Sequence, residues 1–437
     1  MEYIFLILFT TLIDYAVALR MAGTESLSRK RLFLGISLVT NLGLLFAFKY
    51  FNFFSDVTRE VFAHANIMYA IPQFKVILPV GLSFYTFQSL SYTIDVYRGK
   101  QAPERHVGLF ALYVAYFPQL VAGPISRAQE LIPQFYKRVD FDYERVTNGL
   151  KLMAWGMFKK VVIADRVAKL VDTVYSAPTA YPGYPLILAT VFFAVQIYCD
   201  FSGYCDIAIG SAEILGFHLP QNFKRPYFAT SMTDFWKRWH MSLCSWFRDY
   251  LYISLGGNRA GVMRRYVNVF VTFLLSGLWH GANWTFLAWG ALHGTAVIME
   301  KLLVKLTTGK PIERLFSLGV PGGRIVRILL TFALVNVGWI LFRAKSFADA
   351  SYVLTHAFDA SQADCYSLGL KRFDFNIALL AIMVLFVVEM IQARVVTMRG
   401  FVTRAPVIIR WLIYVGIVFI TLVLAVADKR EFIYFQF

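Results

Sequence analysis

Long apolar stretches separated by short polar segments follow one another along the whole chain. They lie at residues 3–19, 32–54, 76–94, 107–122, 147–165, 184–199, 201–217, 266–282, 284–304, 325–342, 375–393 and 407–427. A helix needs about 20 apolar residues to cross a bilayer, so the chain has room for about 10–12 transmembrane or re-entrant helices. We therefore predict an all-α polytopic membrane protein that forms a single membrane domain over residues 1–437.

The polar segment 217–265 contains a second pattern. Large apolar residues recur there at spacings of three and four, which is the period of a helix. They are Trp236, Trp239, Leu243, Trp246 and Tyr250, and the charged residues fall on the opposite side. This pattern predicts one amphipathic helix near residues 233–252, lying at the membrane interface. His240 falls on the flank of the aromatic stripe, so we expect its imidazole to point inward.

Composition and charge agree with a membrane protein. Hydrophobic residues make up 58% of the chain and charged residues 16%, which excludes disordered, collagenous and ordinary soluble classes. The net charge of +16 is explained by basic residues in cytoplasmic loops, and no separate basic module suggests nucleic acid. The basic segment 217–265 should accordingly be cytoplasmic. The four cysteines are too few and scattered for a disulfide framework or a zinc pair.

His280 is the first candidate for catalysis, because it lies in an apolar stretch where an ionisable group is costly. A neutral imidazole can take a proton from an alcohol. Gly277 and Gly281 expose backbone beside it for a closely packed partner or a ligand. The alternatives are structural: a histidine bonded to a neighbouring helix for His280, and an interfacial anchor for His240.

Two polar strings, Ser83–Asp95 and Asp200–Asp206, interrupt apolar sequence. Buried hydroxyls and carboxylates need partners, so these strings line either a hydrated cavity or a helix interface. The sequence contains no HExxH motif, no GxSxG elbow, no phosphate-binding P-loop and no GxGxxG turn after a strand. We therefore predict no metal site and no hydrolase, ATPase or dinucleotide chemistry.

Three strings carry a resemblance to a known family: Gln119–Ile125, Asp234–Arg259 and Gly277–Gly281. Together with Ser83–Arg98 they resemble the membrane-bound O-acyltransferase (MBOAT) family, and within it the bacterial alginate O-acetyltransferase branch. The resemblance implies many helices around a central funnel, a catalytic histidine at His280 and a second functional histidine at His240. Relatives begin with further hydrophobic stretches before the segment that matches Glu2–Phe5, so the N-terminus is expected to be short relative to theirs.

The resemblance also implies an activity. Such proteins move an acyl group from a cytoplasmic thioester, here expected to be acetyl-CoA, to a hydroxyl outside the bacterial inner membrane. The expected acceptors are a polysaccharide such as alginate, or SGNH-like extracytoplasmic acetyltransferase partner proteins, and no bound cofactor is expected. Basic residues at the cytoplasmic mouth, Lys237 among them, would attract the phosphates of the donor. The residues that we assign to substrate or donor binding are Trp236, Arg238, Trp239, Arg248, Asn258, Arg259, Trp279 and Asn283.

Several alternatives remain open at this point. Within the family they are acetylation of peptidoglycan or another envelope glycan, and D-alanyl transfer to teichoic acid. The ending Leu255–Arg259 favours the alginate-like or peptidoglycan-like branch. A transporter or flippase would show two repeated halves, and the sequence contains no such repeat. A non-catalytic scaffold for polysaccharide export leaves both inward histidines unexplained.

Overall fold

The computed structural model describes residues 4–69, 71–74, 79, 81–259, 261–307, 323–361, 363–395, 402, 404–426 and 431–433. All regular secondary structure in these ranges is helical. Three predicted stretches extend outside the described residues: the first at residue 3, the third at residues 76–78 and 80, and the last at residue 427. The all-α prediction is confirmed.

The helices are numbered in chain order. They are α1 (Ile4–Ala22), α2 (Leu27–Leu45), α3 (Phe51–His64), α4 (Leu82–Tyr97), α5 (Val107–Val114), α6 (Phe117–Leu120), α7 (Ala128–Phe135), α8 (Tyr143–Met157), α9 (Asp165–Ser176), α10 (Tyr184–Ile214), α11 (Met232–Trp236), α12 (Met241–Trp246), α13 (Val262–His280), α14 (Trp284–Thr307), α15 (Gly323–Arg343), α16 (Phe347–His356), α17 (Arg372–Arg394) and α18 (Val407–Leu424). One π-helical turn, Phe46–Tyr50, joins α2 to α3, and another, Phe158–Ala164, joins α8 to α9.

Seven helices in the described part of the chain are long and apolar enough to cross a membrane. They are Ile4–Ala22, Leu27–His64, Tyr184–Ile214, Trp284–Leu306, Gly323–Arg343, Arg372–Arg394 and Val407–Leu424. Large apolar side chains remain exposed along several of them, as on α18, where only Thr421 is buried. Such a surface is stable in lipid and not in water, so the protein is a multi-pass membrane protein.

The predicted stretches 184–199 and 201–217 are one helix, α10, and the prediction of two separate segments was wrong. The polar string between them stays helical because its side chains face α8 and the π turn after it. Lys159 Nζ lies 2.7 Å from Asp206 Oδ2 and donates a hydrogen bond of 2.9 Å to Ser202 Oγ. A Cβ on Gly203 would come within 2.7 Å of the Gly156 carbonyl oxygen, so glycine allows this close crossing.

Helix α4, which carries the string Ser83–Asp95, is buried along almost its whole length. Gln88 Nε2 donates to the Tyr113 carbonyl at 2.6 Å, and Tyr250 OH donates to Asp95 Oδ2 at 2.6 Å. The string therefore makes hydrogen bonds across a helix interface, which is one of the two arrangements that the sequence left open, the other being a hydrated cavity. Its apolar face joins a large buried cluster that also contains Trp239, Trp279 and much of α10.

Candidate active site

The amphipathic segment 233–252 is not one continuous helix, which corrects the prediction. It divides into α11, a left-handed turn at His240 with φ of +43°, α12, and a π-helical turn at Phe247–Tyr252. Backbone groups at the break bond to a neighbouring segment: Lys224 N–H donates to Arg238 O at 2.9 Å, and Met241 N–H donates to Asn222 O at 2.9 Å. These tertiary bonds override the helical period of the sequence.

His240 is 1% exposed, as its position on the stripe predicted, and it lies among aromatic rings. The ring of Phe201 packs edge-on with its centroid 4.7 Å from that of His240. A polar contact with Asn222 holds the imidazole: Nδ1 lies 3.2 Å from Asn222 Oδ1. Burial lowers the pKa of His240 to about 3, so the ring is neutral at pH 7.

His280 is the last residue of α13 and is 4% exposed. Its ring contacts the rings of Trp279, Trp289 and Phe342, with centroids 4.9, 5.1 and 5.3 Å away. Lys49 Nζ donates to the carbonyl oxygen of His280 and to that of Trp279, each at 2.8 Å. A lysine from the π turn after α2 thus caps the helix end that presents the histidine.

The two glycines beside His280 make its position possible. A Cβ on Gly277 would lie 2.2 Å from the Phe286 carbonyl oxygen, and one on Gly281 would lie 2.1 Å from the Phe286 ring. Helix α14 therefore approaches α13 more closely than any larger residue would allow. The partner expected for these glycines is this neighbouring helix.

Trp279 connects the two histidines. Its ring centroid is 4.9 Å from that of His280 and 6.2 Å from that of His240. Its indole nitrogen is buried and has no hydrogen-bond partner among the described residues. The structure thus brings His240, Trp279 and His280 into one buried, largely aromatic site. A neutral imidazole can accept a proton from an attacking hydroxyl and release it again during a reaction.

A third buried histidine, His293 on α14, was missed by the sequence interpretation. It is 1% exposed, and its ring centroid lies 4.9 Å from that of Trp289, which in turn contacts His280. Neither of its ring nitrogens has a hydrogen-bond partner among the described residues. The signal was available, because His293 lies in the apolar stretch 284–304 just as His280 lies in its own.

The other residues assigned to substrate or donor binding divide into two sets. The buried Trp239 and partly buried Trp236 belong to the aromatic core, and Trp236 packs 5.1 Å from His293. Asn283 accepts from Thr285 N–H at 3.1 Å at the start of α14 and donates to Lys345 O at 3.1 Å. These contacts are consistent with structural roles.

The remaining assigned residues lie towards the surface. Arg238 pairs with Asp234 at 2.7 Å, and Arg248, whose side chain is 63% exposed, pairs with Asp249 at 2.7 Å. Asn258 accepts from Tyr252 OH at 2.8 Å. Arg259 is exposed. The contacts found for these four residues involve neither histidine.

A cavity of about 300 Å³ lies beside Asn222. Its lining includes Lys159, Asp206, Asn222, Arg225 and Glu389. The string Asp200–Asp206 therefore lines a cavity as well as a helix interface. Within the described residues, no group of three His, Cys, Asp or Glu side chains is arranged to hold a metal ion.

Comparison with known proteins gives a consistent result. The family model of MBOAT, the membrane-bound O-acyltransferase family, matches residues 106–337, more than half of the chain. The chain is 41% identical over 340 residues to the probable alginate O-acetylase AlgI of Azotobacter vinelandii, covering 77% of this chain and 65% of that protein. It is 40% identical over 347 residues to the probable alginate O-acetylase AlgI of Pseudomonas aeruginosa, covering 78% and 64%.

A relative whose name gives another activity is also similar. The chain is 35% identical over 380 residues to the peptidoglycan O-acetyltransferase of Helicobacter pylori, covering 81% of this chain and 69% of that protein. The chain thus spans just under two thirds of the two alginate O-acetylases, at 65% and 64% of their lengths.

Proposed function

Because the chain belongs to the membrane-bound O-acyltransferase family, we propose that it is an O-acetyltransferase of the bacterial cell envelope. The observation that carries the proposal is the buried site in which the ring of Trp279 contacts both His240 and His280. Both histidines lie within the segment that the family model matches. The relatives at 35% identity and above bear names of O-acetylating enzymes, and this supports acetyl as the transferred group.

In the proposed reaction, an acceptor hydroxyl attacks the carbonyl carbon of an acetyl thioester. His280 acts as general base and takes the hydroxyl proton as the new carbon–oxygen bond forms. The carbon–sulfur bond then breaks, and the leaving thiolate takes up the proton. An acetyl-His280 relay would use the same residue as nucleophile. His240 would orient the donor, share the proton or stabilise the oxyanion.

We propose acetyl-CoA as the donor, arriving from the cytoplasm at the basic segment 217–265. Exposed cations such as Lys237 and Arg259 would attract its phosphates, whereas Arg238 and Arg248 already have acidic partners. The acceptor would lie outside the inner membrane. It would be an alginate-like polysaccharide, reached directly or through a hydroxyl of an SGNH-like partner protein.

Peptidoglycan is the second candidate acceptor. The Helicobacter pylori relative, named a peptidoglycan O-acetyltransferase, is matched over 69% of its length, slightly more than either alginate O-acetylase above. D-alanyl transfer is less favoured, because the teichoic acid D-alanyltransferase of Streptococcus thermophilus is 26% identical over 289 residues.

The test compares a chromosomal His280→Ala strain with its parent. Base-labile acetate is measured on the exopolysaccharide and peptidoglycan fractions. The amount of the His280→Ala protein in the membrane fraction is measured by blot. General acid–base catalysis contributes about 10²–10⁴-fold, so acetate on one fraction should fall to background while protein persists. His64→Ala, a change at an exposed histidine on α3, is the matched control and should retain acetate.

The fraction that loses acetate identifies the acceptor. Unchanged acetate on every fraction in His280→Ala, with a phenotype unlike that of a deletion strain, would contradict the catalytic role of His280. A phenotype that depends on an ion gradient and survives loss of His280 would instead support a transporter.

A further inference from the structure

A chain of buried hydrogen bonds runs from the string Gln119–Ile125 to His240. Ile125 N–H donates to Ser242 Oγ at 3.0 Å, and Ser242 Oγ–H donates to Asn222 Oδ1 at 2.9 Å. The Ser242 backbone N–H also donates to Asn222 Oδ1, at 3.0 Å. The chain ends at the contact of 3.2 Å between that oxygen and His240 Nδ1. Ile125, Asn222, His240 and Ser242 are 5%, 0%, 1% and 6% exposed.

The direction of every bond in this chain follows from chemistry. A backbone N–H can only donate, so the atom of Asn222 facing Ser242 N–H is the amide oxygen and not the amide nitrogen. Ser242 Oγ accepts from Ile125 N–H and donates its own hydrogen to Asn222 Oδ1, because an amide oxygen cannot donate. An amide oxygen only accepts, and the hydrogen between it and His240 must therefore lie on Nδ1. In the neutral ring, the lone pair is then on Nε2.

The backbone reinforces this arrangement. His240 occupies the left-handed region, which is costly for a residue with a side chain, and Asn222 bonds to His240 and to the two residues that follow it. Its carbonyl oxygen accepts from Met241 N–H at 2.9 Å, while its side-chain oxygen holds the imidazole and Ser242. The amide of Asn222 is itself fixed, because Nδ2 lies 3.5 Å from Cys205 Sγ.

We propose that Asn222 and Ser242 are positioning residues that hold His240 as the Nδ1–H tautomer, so that Nε2 serves as a proton acceptor in the transfer. The proposal rests on the proposed function and selects among the three roles given above for His240. A neutral ring of this tautomer has no N–H at Nε2 to donate to an oxyanion. It shares the proton with His280 instead: the acceptor hydroxyl releases one proton to this pair of imidazoles as the carbon–oxygen bond forms, and the thiolate takes that proton when the carbon–sulfur bond breaks.

The first experiment observes the tautomer directly. Nitrogen NMR of the full-length protein in lipid nanodiscs, labelled with ¹⁵N at the histidine rings, distinguishes a protonated from an unprotonated ring nitrogen. The difference from the spectrum of His240→Gln identifies the signals of His240. Wild type should show a protonated Nδ1 and an unprotonated Nε2, and Asn222→Leu should lose that preference. A wild-type His240 with its proton on Nε2 would overturn the proposal.

The second experiment follows acetyl transfer against pH in the same nanodiscs, with release of free thiol from acetyl-CoA as the readout. In Asn222→Asp a carboxylate replaces the amide oxygen and favours the imidazolium. The acidic limb of the rate profile should then move to higher pH by about one to three units. An acidic limb that stays in place would contradict the proposal.

Two further variants grade the effect. Asn222→Leu leaves buried donors unsatisfied and should lower kcat by about 10²-fold with the KM for acetyl-CoA unchanged. Ser242→Ala keeps the backbone N–H bond to Asn222 and should lower kcat by about two- to tenfold. Asn336→Leu removes another buried asparagine, bonded at 2.8 Å to Phe332 O on α15, and should retain the wild-type tautomer and pH profile.

Different results would contradict the proposed function and the assignment of the positioning residues. If wild type transfers no acetyl group to any acceptor, the proposed function fails, whatever tautomer His240 adopts. If wild type is active but its His240 carries the proton on Nε2, the assignment of the positioning residues fails alone. A kcat loss in Asn222→Leu equalled by Asn336→Leu would also contradict a specific role.

Discussion

His240 and His280 share one aromatic site, but the protein holds them by different means. The ring of His240 is fixed by a hydrogen bond to Asn222, which Ser242 orients in turn. His280 is fixed through its backbone, which is the end of a helix capped by Lys49 and closely packed against α14.

The difference shows what each histidine needs from the fold. A hydrogen bond to the ring selects a tautomer, whereas a fixed helix end selects a position. We therefore expect polar substitutions to change the ring tautomer at the His240 turn and to lower stability at the end of α13. Changes of volume should act mainly at the end of α13.

The largest effect that tests this comparison is expected from Gly277→Ala. Its new Cβ would lie 2.2 Å from the Phe286 carbonyl oxygen, and a backbone atom cannot move aside as a flexible side chain can. Helices α13 and α14 must separate, at a cost of about 1–3 kcal/mol or more. We expect a lower thermal unfolding midpoint in detergent and a severe loss of acetyl transfer.

Gly43→Ala is the matched control, because Gly43 lies inside α2 and a Cβ there would meet nothing within 4 Å. This change should be neutral or slightly stabilising, since alanine has the higher helix propensity. Equal unfolding midpoints for the two variants would show that close packing at Gly277 does not position His280.

The sequence indicated the close packing beside His280 better than it predicted the turn at His240. Gly277 and Gly281 pointed to a closely packed partner or a ligand, and the structure places Phe286 against them. The inward side of His240 was also predicted, because the residues on either side of the break still alternate between core and surface. The break itself could not be predicted, since it depends on tertiary bonds to Asn222 and Lys224, which lie in a separate segment before α11.

Two other features of the site, the Asp234–Arg238 pair and the buried His293, were predictable from local sequence patterns. The pair of Asp234 and Arg238 has helical spacing, four residues apart, so the partial neutralisation of the basic face was predictable. His293 satisfied the criterion that selected His280 and was overlooked. The cavity lined by Lys159, Arg225 and Glu389 required the packing of α8, α10 and α17, which no local pattern encodes.

A smaller effect is expected at the cap of α13. Lys49→Met removes the donor that serves the carbonyl oxygens of Trp279 and His280, both at 2.8 Å. Buried carbonyls left without a donor cost about 1–3 kcal/mol, so the unfolding midpoint and kcat should both fall. Tyr50→Phe removes only the bond of 3.0 Å from Tyr50 OH to Leu278 O and should cost about 1 kcal/mol.

Comparison of these two variants with Asn222→Leu sharpens the distinction between the histidines. Both cap variants should lower stability and leave the tautomer of His240 unchanged. Lys49→Met should also move the acidic limb of the pH profile to higher pH, because the pKa of His280 is lowered by burial and, in part, by the charge of Lys49. Tyr50→Phe removes no charge and should leave the limb in place.

The smallest effect is expected at the exposed cations. Arg259→Gln removes an exposed charge that contacts neither histidine, and interactions of exposed charges contribute about 0–1 kcal/mol. If Arg259 only attracts the donor, the KM for acetyl-CoA should rise less than about fivefold at low salt and match wild type at high salt, with kcat unchanged. A fall in kcat that persists at high salt would place Arg259 in the transfer itself, and the two-histidine site would then be incomplete without it.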